Sequence, residues 1–272
     1  MSLERHRKCP MPAEKVLVIG LGETGKPLSE ILAATFSVVV KDVAPLDLSD
    51  PVGVMHVCYP YQVGDFVENT SGYIQQYKPS LVTIHATVVP GTTRAVFERT
   101  GVPIAYSAVR GKHTDMKNDM LSYTKFVAGV TGEATTAAAE HLQAAGIPTG
   151  SFSSPEALEM AKLLETTYFG MLLAWTQEME RYSRSVQADY YEVMEFMKEI
   201  DYLPPVVFHP GYIGGHCVIP NSHLLDNVRH SPFTELIRQS NEQKAEEWRK
   251  QGRALAERLR PEPARPTKMG EA

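Results

Sequence analysis

The sequence predicts an α/β protein: a Rossmann-type doubly wound parallel sheet followed by an all-α domain with one long helix. Three observations predict it. Lys15–Gly25, KVLVIGLGETG, sets a short apolar run before a G-x-G-x-x-G turn and a helix-compatible stretch. Strand-length apolar runs then alternate with helical patterns as far as Gly146. From Ser153 onward, apolar residues recur at helical spacing over about eight turns.

Taken in order, the first strand is Val16–Ile19 and the first helix Lys26–Ala34. Between them, Gly20 permits a tight turn, Gly22 lets backbone approach a pyrophosphate, and Gly25 lets helix pack on strand. Glu23 and Thr24 complete the turn, and the helix N-terminus faces the anion. The second strand, Ser37–Asp42, ends on an acid about 20 residues beyond the first glycine, where a ribose hydroxyl needs an acceptor. Only residues 43–51 separate it from the third strand, Val52–Cys58. A crossover helix needs a dozen or more residues, so a loop is expected in its place.

A helix over Val63–Tyr77, a strand over Leu81–His85 and a helix after Pro90-Gly91 come next. Strands at Val102–Ala105 and Lys125–Val130 precede a helix over Glu133–Ala145 that Gly146 terminates. Ser153-Ser154-Pro155-Glu156 combines caps, an early proline and a first-turn acid. The stripe that follows runs through Leu158, Ala161, Leu164, Tyr168, Leu172, Trp175, Met179, Tyr182 and Val186. A stripe this long suits a hinge or a homodimer interface. A helix over Asp189–Ile200 stops at Pro204-Pro205, and His209–Pro220 is a glycine-rich loop. A polar helix over Pro232–Leu259 and a disordered tail over 261–272 close the chain. The domains expected are 13–150, dinucleotide-binding, and 151–260, helical.

Composition narrows the function. Hydrophobic residues make up 43% of the 272, enough for a core. No run approaches the roughly 18 apolar residues of a membrane span, and no apolar leader follows the N-terminus. A net charge of −5 without a basic stripe argues against nucleic acid. Cys9, Cys58 and Cys217 have no metal-knuckle spacing, so no metal site is expected and the setting reads as reducing and cytoplasmic. His56, His85, His113 and His209 also lack ligand spacing and read as structural or surface residues.

The second informative stretch is Gly214-Gly215-His216-Cys217-Val218-Ile219-Pro220-Asn221. Paired glycines before a cysteine leave the thiol unobstructed, and a nearby cation or helix terminus would favour its thiolate. A small buried hydrophobe in a tight turn is the alternative.

With these stretches placed, the chain resembles the UDP-glucose/GDP-mannose dehydrogenase family, nearest its UDP-N-acetylmannosamine dehydrogenase branch. Gly20–Gly25 with Asp42 carries part of the resemblance. His85-Ala86-Thr87-Val88-Val89-Pro90-Gly91-Thr92-Thr93 is similar to the family's S-T-V-x-P-G-T-T. Glu159-Met160-Ala161-Lys162-Leu163 is similar to E-M-x-K-L, and Gly214–Pro220 to G-G-H-C-I-P. The resemblance implies oxidation of a sugar-nucleotide alcohol by NAD, with Cys217 as nucleophile on the aldehyde. It implies Lys162 beside the developing oxyanion and Thr87 at the nicotinamide side or on a water. It places Tyr106, Thr166, Gly214, Gly215, His216 and Asn221 around the substrate.

The chain departs from the family at several points. Thr166 stands for an asparagine, Asn221 for an aspartate, and Tyr106 and Arg110 for acids of the P-E-x-x-x-x-G segment. Loss of carboxylates removes general bases and points to one two-electron step. The family's third, nucleotide-binding domain has no counterpart after Leu236–Glu242. Two other readings suit the residues: a methyltransferase, because the glycine turn and acid also suit S-adenosylmethionine, and a non-catalytic binding subunit.

Overall fold

The structure is a computed structural model that describes residues 15–111, 113–198, 200, 208–215 and 217–250. It divides into two units, Met1–Lys162 and Leu163–Ala272.

In the first unit the strands are β1 (Lys15–Ile19), β2 (Val38–Lys41), β3 (Val52–Val57), β4 (Leu81–Ile84), β5 (Ile104–Tyr106), β6 (Lys125–Gly129) and β7 (Thr149–Ser151). They form one seven-stranded sheet in the order β2-β1-β3-β4-β5-β6-β7. Every pairing is parallel except β5 with β6. The helices are α1 (Gly25–Leu32), α2 (Phe66–Tyr77), α3 (Thr92–Thr100), α4 (Met116–Ser122) and α5 (Gly132–Ala144). The short α4 and β7 were not foreseen.

Strand alternation sorts β1 between two cores. Leu17 and Ile19 face Phe66, Ile74 and Tyr77 of α2 and Val96 of α3. Val16 and Val18 face Leu28, Ile31 and Leu32 of α1 and Ala134, Ala138 and Leu142 of α5. Burial of each large side chain contributes about 1.5–3 kcal/mol, and a strand buried on both faces reads as a continuous apolar run. The caps follow the same local chemistry. Asp65 accepts from the Glu68 N–H at 3.0 Å to start α2, and Thr131 accepts from the Ala134 N–H at 3.2 Å to start α5.

The expected loop in place of a crossover helix is present between β2 and β3. The chain passes from one side of β1 to the other through residues 42–51. Leu46 and Leu48 pack on the core where a helix would lie, and Tyr77 Oη donates to the Leu46 carbonyl at 3.1 Å. Because β2 and β3 flank β1, the direction of winding reverses there. In open α/β sheets that reversal is where ligands bind.

The second unit contains α6 from Leu163 onward (the helix spans Pro155–Ser185), α7 (Tyr190–Glu195), α8 (Val218–Val228) and α9 (Pro232–Lys250). Asp189 caps α7 by accepting from the Glu192 N–H at 3.0 Å, but the helix is shorter than the expected 189–200. The larger correction is α8. The sequence reads as loop through Pro220, whereas the structure makes Pro220 the third residue of a helix capped by Cys217. A proline in the first turn forfeits no helical hydrogen bond.

The apolar centre of this unit is small: Ala174, Ile213, Val218 and Ile237. Polar groups knit the rest. Ser240 Oγ donates to Gln177 Oε1 at 2.7 Å, and Arg181 Nε pairs with Glu247 at 2.8 Å. Leu164, Tyr168, Trp175, Tyr182 and Val186 of the α6 stripe are exposed, Trp175 by 56% and Val186 by 73%. Pro204-Pro205, residues 251–259 of the expected polar helix, the expected tail, Cys9 and His216 lie outside the described residues. Among the described residues no helix is long and apolar enough to cross a membrane, and no group of three or more His, Cys, Asp or Glu could hold a metal ion.

Candidate nucleotide and thiol sites

The turn after β1 is shaped by three glycines with different surroundings. Gly20 has φ +90°, and a Cβ there would stand 2.6 Å from the Tyr59 backbone nitrogen. A Cβ on Gly25 would overlap the Gly20 carbonyl oxygen at 1.7 Å. Both therefore hold the turn against β3 and α1. Gly22 differs: nothing lies within 4 Å of a Cβ placed on it. The exposed side of the turn is open where a pyrophosphate needs backbone contact.

Asp42 is exposed at the end of β2, and its Oδ1 accepts from the Leu21 N–H at 3.4 Å. The acid thus stands beside the glycine turn, as the sequence predicts. Thr24 caps α1 without a side-chain bond to the helix, and Glu23 is exposed at the tip. The turn and Asp42 fit a dinucleotide: open backbone at a helix start for the diphosphate, and a carboxylate for the ribose.

Thr87 follows β4 and is half-buried. Three residues later Pro90-Gly91 leads into α3, whose first N–H groups meet Glu159 of α6. Its carboxylate accepts from Gly91 N at 2.7 Å and from Thr93 N and Oγ1 at 2.9 and 2.6 Å. Arg94 Nε pairs with Glu156 at 2.5 Å one turn earlier on α6. Lys162, half-buried, lies one turn beyond Glu159 at the end of the first unit. Tyr106, expected at the substrate, is instead wholly buried in the core shared by α2 and α3. Its β5 neighbours are strand partners, and its ring packs as a core side chain.

Beneath these loops lies a cluster that residue spacing does not reveal. His85 Nδ1 bonds the Ser107 carbonyl at 2.8 Å, and its Nε2 faces His56 Nδ1 at 2.8 Å. His56 Nε2 in turn faces His141 Nε2 at 3.0 Å. Because a carbonyl only accepts, His85 carries its proton on Nδ1. The tautomers then follow along the string: His56 donates from Nδ1 and His141 from Nε2. Burial first, then neighbouring positive groups, hold His56 and His85 well below the ordinary imidazole pKa. Burial holds His141 down to about 4. Lys125 donates to the same Ser107 carbonyl at 2.8 Å and to the Ala108 carbonyl at 3.1 Å. His56 and His85 are structural, as expected.

In the second unit, Asn241 of α9 clamps the loop ahead of the cysteine. Its Oδ1 accepts from the Ile213 N–H at 2.7 Å and its Nδ2 donates to the Ile213 carbonyl at 3.1 Å. Gly214 and Gly215 follow, the latter at φ +78°. Cys217 is half-buried at the N-cap of α8, with its thiol beside a helix start. Asn221 lies one turn further, 3% exposed, and its side-chain Nδ2 has no hydrogen-bond partner. Thr166 is buried on α6. Asn241 went unremarked as a site residue, although it lies in the Leu236–Glu242 stretch already singled out.

Residues 156–243 match the family model described as "UDP-glucose/GDP-mannose dehydrogenase family, central domain". The resemblance seen in the lysine and cysteine motifs is thereby borne out, since both fall within it. Several solved structures share the fold. A UDP-D-ManNAc dehydrogenase from Pyrococcus horikoshii superposes with a TM-score of 0.74 at 18% identity, over 88% of this chain and 72% of that one. A UDP-N-acetyl-mannosamine dehydrogenase from Staphylococcus aureus gives 0.72 at 16% identity, over 91% and 72%. A 3-hydroxyisobutyrate dehydrogenase from Mycobacterium tuberculosis gives 0.66 at 16% identity, over 92% of this chain and 100% of that one. At these identities the likeness is one of fold. Comparison with curated protein sequences finds no match. The methyltransferase alternative finds no support in the family match or in these structures.

Proposed function

We propose that the chain is an NAD-dependent oxidoreductase of the nucleotide-sugar dehydrogenase kind, performing one two-electron oxidation of an alcohol. The observation that carries this is the open face of Gly22 beside Asp42 at the point where the sheet's winding reverses. NAD, when bound, supplies the hydride acceptor. The chain's own residues do the rest. The Gly20–Gly25 turn holds the diphosphate, and Asp42 accepts from the ribose diol and disfavours a 2′-phosphate. Thr87 orients the nicotinamide end. Lys162 stands by the alcohol oxygen as negative charge develops on it. Cys217 is the nucleophile that the motif resemblance implies.

Stopping short of the acid is supported by chemistry. Full oxidation to an acid needs a base to activate water against a thioester. In the motif positions where the family has acids this chain has Asn221, an amide with no basic group, and Tyr106, which is buried in the core. Burial pushes the Tyr106 phenol still higher. Full coverage of the 3-hydroxyisobutyrate dehydrogenase chain supports a second substrate class, a short hydroxy acid, for the same hydride step. The exposed stripe from Leu164 to Val186 supports a homodimer built on α6.

Calorimetry with NAD, NADP and S-adenosylmethionine tests the cofactor. NAD should bind more tightly than NADP, and Asp42→Ala should narrow that preference. Equal or tighter NADP binding in the wild type would remove Asp42 from its role, and binding of S-adenosylmethionine alone would end the dehydrogenase reading.

A further inference from the structure

Lys41, the last residue of β2, is a buried cation that the proposed reaction does not use; it is 8% exposed. Its Nζ donates to the Asp42 carbonyl at 2.9 Å and to the Ala44 carbonyl at 3.2 Å, and lies 5.3 Å from the centroid of the Tyr73 ring on α2. Two carbonyl dipoles and a ring face thereby offset the cost of burying the ammonium. The chain bends at residues 42–44, and the bend curls around this one group. One turn beyond Tyr73, Tyr77 Oη holds the Leu46 carbonyl. The loop that takes the place of a crossover helix is therefore fastened to α2 at two successive turns.

The consequence falls on Asp42. The Lys41 carbonyl accepts from the Gly20 N–H at 2.8 Å, and the Asp42 carbonyl accepts from Lys41 Nζ. Both planar peptide groups that flank the Asp42 Cα are thus fixed, and only side-chain rotation is left to the carboxylate. That carboxylate, exposed beside the glycine turn, accepts from the Leu21 N–H at 3.4 Å, which is too long a bond to hold the acid unaided. Without the ammonium, the Asp42 and Ala44 carbonyls would converge with no donor between them. The Asp42 peptide would then turn to find one in water, and the carboxylate would turn with it.

Resting on the nucleotide reading above, we infer that Lys41 is a positioning residue for cofactor choice: it aims the Asp42 carboxylate at the ribose diol by fixing the backbone on which Asp42 stands. It acts through Asp42 and does not touch the cofactor. Facing inward, its charge is also kept from a 2′-phosphate, which a cation turned outward beside the acid would attract.

Calorimetry of the full chain with NAD and with NADP reads the effect as a ratio of affinities. A hydrogen bond to a charged acceptor is worth about tenfold in affinity or more, so Lys41→Met should lower the preference for NAD by about threefold to tenfold. Lys41→Arg, which still donates to both carbonyls and lies on Tyr73, should keep it. In an Asp42→Ala background Lys41→Met should change the ratio no further, because the acid it aims is gone. Should Lys41→Met not fold, Lys41→Gln takes its place with the same expected fall, its amide being one atom shorter and unable to bond both carbonyls at once. A lysine that only supports the fold would lower the thermal midpoint and leave the ratio as in the wild type. That result, or an equal fall with and without Asp42, would overturn the inference alone. A wild type that binds no NAD, or binds NADP as tightly, would overturn the nucleotide reading and this inference with it.

Discussion

Glu159 accepts both the backbone N–H and the hydroxyl of Thr93, at 2.9 and 2.6 Å, and the Gly91 N–H at 2.7 Å. The P-G-T-T and E-M-x-K-L stretches, more than sixty residues apart, are thereby halves of one device. A carboxylate replaces the missing intrahelical acceptors at the start of α3, and the positive end of the helix favours its charge. Burial opposes that charge and, as the largest effect, raises the Glu159 pKa.

Glu159→Gln should break this junction. The glutamine amide can accept at one atom but presents hydrogens at the other, facing an N–H group. The expected cost is about 2–3 kcal/mol, seen as a lower urea midpoint. An unchanged midpoint would mean that the three bonds contribute nothing net.

Sequence pattern made the β1 turn, the sheet and the missing crossover helix legible, because glycine spacing and apolar runs are local signals. The start of α8 was hidden by chemistry that is equally local but ambiguous. Gly214-Gly215 and Pro220 read as loop, yet a proline at the third helical position is tolerated. The histidine string was hidden for another reason. His56 and His85 meet because β3 and β4 pair in parallel, with His56 opposite Thr83, and His141 reaches them from α5. No spacing along the chain encodes that convergence. Tyr106 was misplaced because a motif position names a residue's location on a strand, not the face to which it points.

The glycines of the turn should separate fold from binding. Gly25→Ala places a methyl on the Gly20 carbonyl and should cost about 3 kcal/mol or more. Gly22→Ala meets no protein atom, so it should leave the thermal midpoint nearly unchanged while weakening NAD binding. If Gly22→Ala binds NAD as the wild type does, the diphosphate lies elsewhere.

The histidine string should make the protein acid-labile. His56, His85 and His141 are neutral in the fold down to pKa values well below 6.5, that of His141 being about 4. Unfolded, they protonate near 6.5, so below that pH the unfolded state binds more protons. Stability is therefore lost as pH falls from about 6.5, by up to about 1.4 kcal/mol per pH unit for each histidine. His141→Gln retains an N–H for His56 and removes one titrating group, so its unfolding free energy should fall less steeply between pH 6.5 and pH 4.5. Equal slopes in variant and wild type would show that His141 is not part of the titration.

The two described cysteines should differ sharply in reactivity. Burial, opposed by Lys125, pushes the Cys58 thiol up to about 12. Its thiolate fraction at pH 7 is then roughly one in 10⁵, and little solvent reaches it. Cys217 is half-buried at the start of α8, so solvent and reagent reach it. Iodoacetamide should label Cys217 at least about a hundredfold faster than Cys58, read by peptide mass mapping. If Cys217 labels as slowly as Cys58, it is a core residue and has no part in the chemistry.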